Sequence, residues 1–408
     1  MAIDDSKHCD HRTGMVFFAS VPPPLHGQSV MVGHTLQALK GTFGDSIIRH
    51  VDARWSDDLG EIGGTGFRKL KRLAIYPLMA LRERLAFGRC LLYYVPGPVK
   101  WSALIRDWLV LGVLRPFFSG TVFHWHAVGQ GEWAHGSQRV SLNAPRWIDS
   151  VARFLSRIVL HRPLLSLPVS QCSDTDARAV GSKRIEVVAN GIRDPLAEAE
   201  AARLAERFEA MSEGRLRLLF LSRGNEEKGL SDWLEAILHL AAAQGPDAPE
   251  LHIRIVGGVE PSASTLVGSF KRTFAQTDPS HRIEIEWQDF ADESAKKAIW
   301  ETTDLLVYPS RWESFGLVVL EAMARAVPVI ACSSDGVRGI LGPDSPLLVP
   351  VTDPVALASR VREFIADKKP VHWQTIGLGL RRRFLDDFDL ARFDRDVIRA
   401  LAGVIRKS

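Results

Sequence analysis

Short apolar runs alternate with segments of helical periodicity along most of this 408-residue chain. The first apolar run covers residues 15–21, and three prolines follow it at once. Because proline cannot donate to a sheet ladder, the predicted strand ends there. A loop that contains Gly27 then leads into a predicted helix over residues 30–40, with Ser29 as its cap. A strand, a glycine-containing loop and a helix in this order form the opening unit of a doubly wound domain.

The same alternation continues in two series of predicted strands and helices. The first series contains further apolar runs at residues 90–95, 121–123 and 167–169. The second series occupies residues 216–366, and residues 390–407 again have helical periodicity. This pattern predicts an α/β fold with two Rossmann-like doubly wound domains.

The predicted boundaries follow from where the two series begin and end. We place the domains at residues 15–195 and 215–380, with a C-terminal helical segment at 381–408. Residues 1–14 are polar and are predicted to form a flexible tail. Residues 197–213 are rich in Ala, Glu and Arg and are predicted to form a linking helix.

One segment of the second series carries two carboxylates at a junction between a strand and a helix. Residues 303–324 predict a buried strand, a short polar loop and a helix, with Glu313 in the loop and Glu321 one turn inside the helix. Free N–H groups and the positive end of the helix dipole converge at such a junction. A phosphate can therefore sit on the three residues before the helix, Ser314, Phe315 and Gly316. Two carboxylates that bind hydroxyl groups on either side of that phosphate would suit a nucleotide-sugar.

This segment resembles the E-x7-E signature of the retaining glycosyltransferases of family 4, which have the GT-B fold. Other elements resemble the family in the same order. They are the strand and GR…KG element of residues 218–229, the PNG-like residues 187–192, the strand ending in two glycines at 251–258, and residues 327–331 and 348–350. The resemblance therefore covers residues 187–350. It implies two domains that face each other across a cleft and a last helix that returns to the first domain.

The resemblance also implies roles for particular residues. Glu321 is expected to bind the two ribose hydroxyls, and Glu313 the hydroxyls of the donor sugar. Arg223 and Lys228 lie five positions apart after a strand, and they suit the negative charge that builds on a departing diphosphate. We predict that Arg223, Lys228 and Glu313 are catalytic.

In the first domain, the family places a histidine at the end of a strand, facing the donor sugar. Two histidines, His124 and His126, compete for this place, and alternation puts them on the same side of the strand. We prefer His126 because it is nearer the loop. Gly27 lies where the family has a glycine pair near the diphosphate, but its neighbours here are His26 and Gln28.

The chain departs from the family and from other enzyme classes in identifiable ways. Gly339 stands where the family often has a glutamate. A dehydrogenase is disfavoured because no G-x-G-x-x-G fingerprint follows the first strand. No D-x-D motif follows a strand, so we predict neither a catalytic metal nor a cofactor besides a UDP- or GDP-sugar donor.

The composition indicates the class of protein and its location in the cell. The net charge of +3, a hydrophobic content of 46% and a charged content of 24% are ordinary for a globular protein. The four cysteines contain no C-x-x-C pair, which fits a reducing cytoplasm, and no secretion signal or spanning helix is predicted. We expect a cytoplasmic protein.

A basic and apolar surface is predicted in the first domain. Residues 67–118 contain ten lysines and arginines against two acidic residues, interspersed with large apolar side chains. Such a segment suits the anionic inner face of the cytoplasmic membrane, although a pair of core helices with a solvated basic face would give the same pattern. Nucleic acid is not expected as a partner, because no binding fold for it is evident.

Taken together, the resemblance implies a metal-independent, retaining hexosyltransferase. It would move a hexose from a nucleotide-sugar to a glycan or lipid-linked acceptor, in surface polysaccharide biosynthesis. A nucleotide-sugar epimerase on the same architecture and a catalytically silent nucleotide-sugar-binding protein are the alternatives.

Overall fold

The structure is a computed structural model of the chain. It describes residues 13–23, 27–55, 67–197, 202, 204, 206, 215–243, 248–277, 282–289, 292–366 and 370–405. The predicted tail up to residue 12, His26 and most of the predicted linking helix lie outside the described residues.

The chain divides into two compact units. The first consists of residues 1–190 and 391–408, and the second of residues 191–390. Residues 381–390, which the sequence pattern assigned to the C-terminal segment, group with the second unit.

The first unit is built on a five-stranded sheet with the order β2-β1-β3-β4-β5. All its strand pairs are parallel, and Phe17 of β1 lies opposite Tyr93 of β3. Most of the strands are nearly continuous apolar runs because helices cover both faces of a parallel sheet, whereas the edge strand at residues 48–52 contains Arg49, His50 and Asp52. The strands are β1 Gly14–Ala19, β2 Ile48–Asp52, β3 Cys90–Tyr94, β4 Gly120–Trp125 and β5 Leu165–Pro168.

Among the described residues of the first unit, six α-helices precede the second unit in the chain. They are α1 Gly27–Phe43, α2 Phe67–Phe87, α3 Trp101–Leu114, α4 Gln130–Ala134, α5 Arg146–Leu160 and α6 Thr175–Ala179. Helix α1 begins three residues earlier than the sequence pattern predicted, so Ser29 is buried within its first turn and is not its cap.

Helices α2, α3 and α5 share one hydrophobic cluster with the sheet. The cluster contains Ala80 of α2, Leu111 of α3 and Val159 of α5, together with Leu92 and Phe123 of the strands. These three helices therefore lie on the same face of the sheet, and their opposite sides face outwards.

The second unit is built on a six-stranded parallel sheet with the order β11-β10-β9-β6-β7-β8. Its strands are β6 Arg215–Leu221, β7 Glu250–Val256, β8 Ile283–Gln288, β9 Leu305–Tyr308, β10 Val329–Cys332 and β11 Leu348–Val349. Its helices are α7 Leu230–Ala242, α8 Ser264–Thr277, α9 Glu293–Glu301, α10 Leu317–Ala324, α11 Asp335–Leu341, α12 Pro354–Ala366 and α13 Pro370–Asp387.

The order of this sheet brings distant parts of the sequence together. Strand β6 pairs with both β7 and β9, so the loops after these strands are neighbours at the carboxyl edge of the sheet. In open parallel α/β sheets, ligands bind at this edge. The loops after β6 and β9 carry the predicted residues 223–228 and 313–316.

The last helix, α14, spans Leu390–Ile405. Its residues from 391 onwards group with the first unit, where the backbone N–H of Thr13 donates to the carbonyl of Ile405 at 3.0 Å. Among the helices of the described residues, none combines the length and the apolar character needed to cross a bilayer.

Candidate functional site

Two loops of the second unit meet through a salt bridge between Lys228 and Glu313. The ammonium Nζ donates to Oε2 of the carboxylate at 2.8 Å, and both side chains are largely buried, with 15% and 13% exposed. Gly229 permits this approach, since a Cβ at that position would lie 2.0 Å from the carbonyl oxygen of Pro309. Lys228 and Glu313, which lie 85 positions apart in the chain, are therefore in direct contact.

The carboxylate of Glu313 has a second strong donor in Tyr308, the last residue of β9. The phenol O–H donates to Oε2 at 2.6 Å. Burial first, and then the negative charge of Glu313, raise the pKa of Tyr308 well above its ordinary value. The phenol therefore stays protonated and keeps donating at neutral pH, which orients the carboxylate.

The three residues before α10 form a compact turn. Phe315 and Gly316 are buried, whereas Ser314 is half-buried. Their position before the first turn of α10 directs backbone N–H groups away from the helix, and the described residues provide no acceptor for the N–H groups of Phe315 and Gly316. This is the anion-binding geometry that a helix N-terminus offers.

Helix α11 packs against this turn. The backbone N–H of Gly336 donates to the carbonyl of Glu313 at 3.0 Å. A Cβ on Gly336 would lie 2.3 Å from the backbone nitrogen of Phe315, so this position has no room for a side chain. Gly339, where the family often has a glutamate, lies one turn further along α11.

Glu321 is held by two side chains of α9. The ammonium of Lys296 donates to Oε1 at 2.6 Å, and the indole Nε1 of Trp300 donates to Oε2 at 3.1 Å. The carboxylate is 17% exposed, so Glu321 is half-buried. Each oxygen retains lone pairs that can accept further hydrogen bonds.

Arg223 lies at the edge of the site and is 56% exposed. Its guanidinium is 3.4 Å from Oε1 of Glu260, and the same oxygen accepts from the amide of Asn225 at 2.8 Å. The side-chain carbonyl of Asn225 in turn accepts from the backbone N–H of Lys228 at 2.9 Å. Asn225 and Glu260 thus connect the two predicted cations.

Arg311 ties the loop after β9 to α7. It forms a two-pronged salt bridge with Asp232, at 2.7 and 2.6 Å, and also donates to Glu226 at 2.8 Å. Its backbone N–H donates to the carbonyl of Glu227. This clamp positions the loop that carries Glu313 relative to the loop that carries Lys228.

In the first unit, His124 and His126 lie at the end of β4 with their ring centroids 4.1 Å apart. His124 is fully buried, and its Nδ1 is 2.5 Å from the hydroxyl of Tyr93. Burial, followed by repulsion from His126, holds the pKa of His124 well below its ordinary value, so this ring is neutral. His126 is nearer the loop and slightly more exposed, at 7%. Gly27 begins α1 in the same unit and is exposed.

The loop after β4 contains a feature that sequence reasoning missed. Asp176 accepts hydrogen bonds from the backbone N–H groups of Gly129 and Glu132, at 2.6 and 2.9 Å, and thereby caps α4 from another helix. Burial raises the pKa of its carboxyl to about 6. No local signal could reveal this cap, because 44 residues separate Asp176 from Glu132.

Sequence reasoning also missed Tyr308, Trp300, Lys296 and Arg311. A usable signal existed for Lys296 and Trp300, because residues four apart share one face of a helix. Which element that face meets is decided by the order of strands. Across the described part of the chain, no three His, Cys, Asp or Glu side chains form a group that could hold a metal ion.

Parts of the chain resemble known proteins in sequence. Residues 203–376, which lie within the second unit, match the family model of glycosyl transferases group 1. The chain is 28% identical over 213 residues to an uncharacterized 41.2 kDa protein in the cps region of Klebsiella pneumoniae, covering 49% of this chain and 53% of that protein. It is 27% identical over 192 residues to the human alpha-1,3/1,6-mannosyltransferase ALG2, covering 46% and 45%. The matches thus span about half the length of these relatives.

Solved structures resemble the whole chain. Sucrose-phosphate synthase from Thermosynechococcus elongatus has a TM-score of 0.69 at 18% identity, covering 97% of this chain and 100% of that one. Anabaena HepE in complex with UDP and glucose has a TM-score of 0.66 at 16% identity, covering 96% and 100%. These likenesses show that the chain has the GT-B fold, with two Rossmann-like domains.

Proposed function

We propose that this protein is a retaining glycosyltransferase that moves a hexose from a UDP- or GDP-sugar to a glycan or lipid-linked acceptor. The match of residues 203–376 to glycosyl transferases group 1 supports the reaction class. The mannosyltransferase among the relatives supports a hexose, and the HepE complex with UDP and glucose supports a nucleotide-sugar donor. The relative in a cps region supports a role in surface polysaccharide biosynthesis.

One observation carries the proposal. The Lys228–Glu313 salt bridge stands next to the turn of residues 314–316, and Glu321 lies one turn inside the helix that follows. A diphosphate placed on that turn would receive backbone N–H groups, while the remaining protons of the Lys228 ammonium would reach a phosphate oxygen. Arg223 would add a mobile cation from the exposed edge. Positive groups beside the diphosphate would stabilise the negative charge that develops on it as it leaves, and this stabilisation is the largest requirement of glycosyl transfer.

The two carboxylates would bind the hydroxyl groups at either end of the donor. Glu321, held by Lys296 and Trp300, would accept from the ribose hydroxyls. Glu313, held by Lys228 and Tyr308, would accept from hydroxyls of the sugar. Because Lys228 bonds to Glu313, one ammonium would link the leaving group to the sugar. His126 and Gly27 remain predicted donor-site residues of the first unit.

Transfer with retention would proceed on one face of the sugar. The bond from the anomeric carbon to the phosphate oxygen breaks, and a bond to the acceptor oxygen forms on the same side. The departing phosphate accepts the proton of the acceptor hydroxyl. This route uses neither a carboxylate nucleophile nor a metal, and we propose that the enzyme needs no cofactor besides its donor. We also propose a cytoplasmic location with peripheral attachment to the inner face of the membrane.

A thermal-shift series tests the proposal. UDP, GDP, UDP-glucose and GDP-mannose are added to the full chain, because a ligand bound only by the folded state raises the melting temperature. One of the two nucleotides is expected to raise the melting temperature, and Glu321→Ala is expected to abolish that rise.

A turnover measurement tests Lys228. Lys228→Ala is expected chiefly to lower turnover, with Lys297→Ala on the exposed side of α9 as the control.

Product analysis separates the alternatives. A transferase without acceptor releases free sugar and nucleoside diphosphate slowly, whereas an epimerase returns an isomerised nucleotide-sugar. Binding without either product would identify a silent binding protein. No thermal shift with any of the four compounds, or unchanged activity in both variants, would reject the proposed site.

A further inference from the structure

The outward side of α3 in the first unit is apolar where a helix on the surface of a soluble protein is normally polar. Trp101, Ile105, Leu109 and Val113 follow one another at intervals of four residues, and each is between 40% and 49% exposed. The other side of α3 is buried in the core of the unit. This helix therefore has two apolar sides, and the core of the unit covers one of them.

Helix α5 repeats the arrangement. Trp147, Val151, Phe154 and Ile158 form a stripe with spacings of four, three and four residues, and they are between 52% and 71% exposed. The opposite side of the helix is buried against the core. A continuous stripe on a surface helix marks an interaction site more strongly than scattered exposed residues do.

The two stripes belong to one surface. The indole Nε1 of Trp108 on α3 donates to Ser156 on α5 at 2.8 Å, and Arg115 after α3 donates to the carbonyls of Val159 and His161, both at 2.5 Å. The helices are therefore direct neighbours with the same direction. We name the surface formed by the outward sides of α3 and α5 the apolar face.

The charges around the apolar face are basic. Lys100, Arg146 and Arg157 are exposed at its ends and along α5. Within the described residues of α3 and α5, the acidic side chains are Asp107, which is fully buried, and Asp149, which is bonded to Arg153 at 2.5 Å. No acidic group of these two helices thus remains to balance the exposed cations.

Several cations of the basic segment predicted at residues 67–118 have structural partners. Arg84 donates to the carbonyl of Phe117, Arg106 is bonded to the buried Asp107, and Arg115 joins α3 to α5. A count of cations along residues 67–118 therefore overstates the number of side chains that can reach a partner, and it leaves out the whole of α5.

We propose that the apolar face docks onto an anionic lipid bilayer, with both stripes inserted to the depth of the headgroups. Large apolar side chains beside unpaired cations are what an anionic interface binds. Trp101 and Trp147 lie in the first turns of the two parallel helices, and tryptophan favours the boundary between headgroups and acyl chains. A second copy of the chain is a poorer partner, since a two-fold interface would bring the same cations face to face.

This inference deepens the proposed function, because it names the membrane as the partner of the first unit. Flotation of the full chain with vesicles tests it. Binding is expected to vesicles of phosphatidylcholine and phosphatidylglycerol in equal parts, to weaken with added salt, and to be poor with phosphatidylcholine alone. No flotation with the anionic vesicles at low ionic strength would overturn the inference.

Matched variants locate the contact. Phe154→Ser is expected to lower the partition coefficient about tenfold. Val151→Ser should lower it measurably, whereas Val355→Ser, the same change at a position of α12 that is 57% exposed, should not. Arg157→Glu should also lower it about tenfold, with Arg362→Glu on α12 as the control. Equal losses in the α5 and α12 variants would contradict a specific face.

Two further measurements keep the outcome clear. Circular dichroism and the melting temperature check that each variant is folded, and a nucleotide-induced thermal shift should be the same in all of them. A variant that loses vesicle binding but keeps the nucleotide-induced thermal shift has lost only its contact with the membrane. A variant that loses the thermal shift has lost nucleotide binding, which tests the proposed function instead. If sedimentation without lipid shows a dimer that Phe154→Ser converts to a monomer, the apolar face is an interface between copies and the membrane proposal fails.

Discussion

The indole of Trp300 donates a hydrogen bond of 3.1 Å to Oε2 of Glu321, while Lys296, one turn earlier on α9, donates to Oε1 of the same carboxylate. Both oxygens of Glu321 therefore have a fixed donor, and its carboxylate plane is set before any ligand arrives. A group oriented in advance loses less conformational entropy on binding.

We predict that Trp300→Phe weakens nucleotide binding. The change removes one donor and keeps a ring in the core, which corresponds to about 1 kcal/mol, or roughly a fivefold higher Kd. Titration calorimetry with the best nucleotide measures it. Trp287→Phe, on β8 of the same unit, is the control and should leave the Kd unchanged. Equal Kd values for Trp300→Phe and the wild type would show that the indole does not orient Glu321.

We predict that Tyr308→Phe lowers turnover by about tenfold without changing nucleotide affinity, because the phenol supports Glu313, assigned to the sugar. Since burial and the charge of Glu313 raise the pKa of Tyr308, the phenol does not ionise in the working range of pH. The variant and the wild type should therefore have activity profiles of the same shape between pH 6 and pH 9. Steady-state kinetics across pH measures both quantities, and a basic limb lost only in the variant would contradict the role.

We predict that Gly336→Ala abolishes nucleotide binding. The new Cβ would lie 2.3 Å from the nitrogen of Phe315 and 2.5 Å from the carbonyl carbon of Ser314, so the anion-binding turn must move. Gly379→Ala is the matched control, because its Cβ meets no atom within 4 Å. The control should be neutral or stabilised by about 0.5 kcal/mol. Normal nucleotide-induced thermal shifts in both variants would show that the turn tolerates displacement.

We predict that the stability of the first unit falls as pH rises from about 4 to about 6, relative to an Asp176→Asn variant. Burial raises the pKa of Asp176 from 3.8 to about 6, so in this window the folded state holds a proton that the unfolded state has lost. The effect is at most about 3 kcal/mol and is complete above the folded pKa. Melting temperatures of both proteins at several pH values measure it.

The variant itself provides the control for that experiment. Asparagine cannot ionise, so its own melting curve should lack this contribution, although one of the two backbone hydrogen bonds to residue 176 is weakened at every pH. A constant difference between the two proteins from pH 4 to pH 7 would contradict the shifted pKa.

Much of the architecture could be predicted from the sequence, and the candidate site residues could be proposed from it. Many of the strands, such as those at residues 90–94 and 305–308, are continuous apolar runs, and the residues that follow the strands stand at the carboxyl edge of a parallel sheet. Glu313, Glu321 and Lys228 could therefore be identified by type and by position in the chain. Local pattern determines these features because strand, loop and helix are each specified within about ten residues.

Other features depended on which elements become neighbours. Tyr308 and Lys228 share the carboxylate of Glu313 because β9 pairs with β6, and Trp300 reaches Glu321 because α9 and α10 flank the same strand. The apolar face exists because α3 and α5 lie side by side, each with one apolar side buried in the core of the unit and the other exposed. The sequence by itself determined the type and the chain position of each candidate site residue. Only the tertiary structure decided which of them touch, because such contacts join residues that are far apart in the chain and that no local pattern relates.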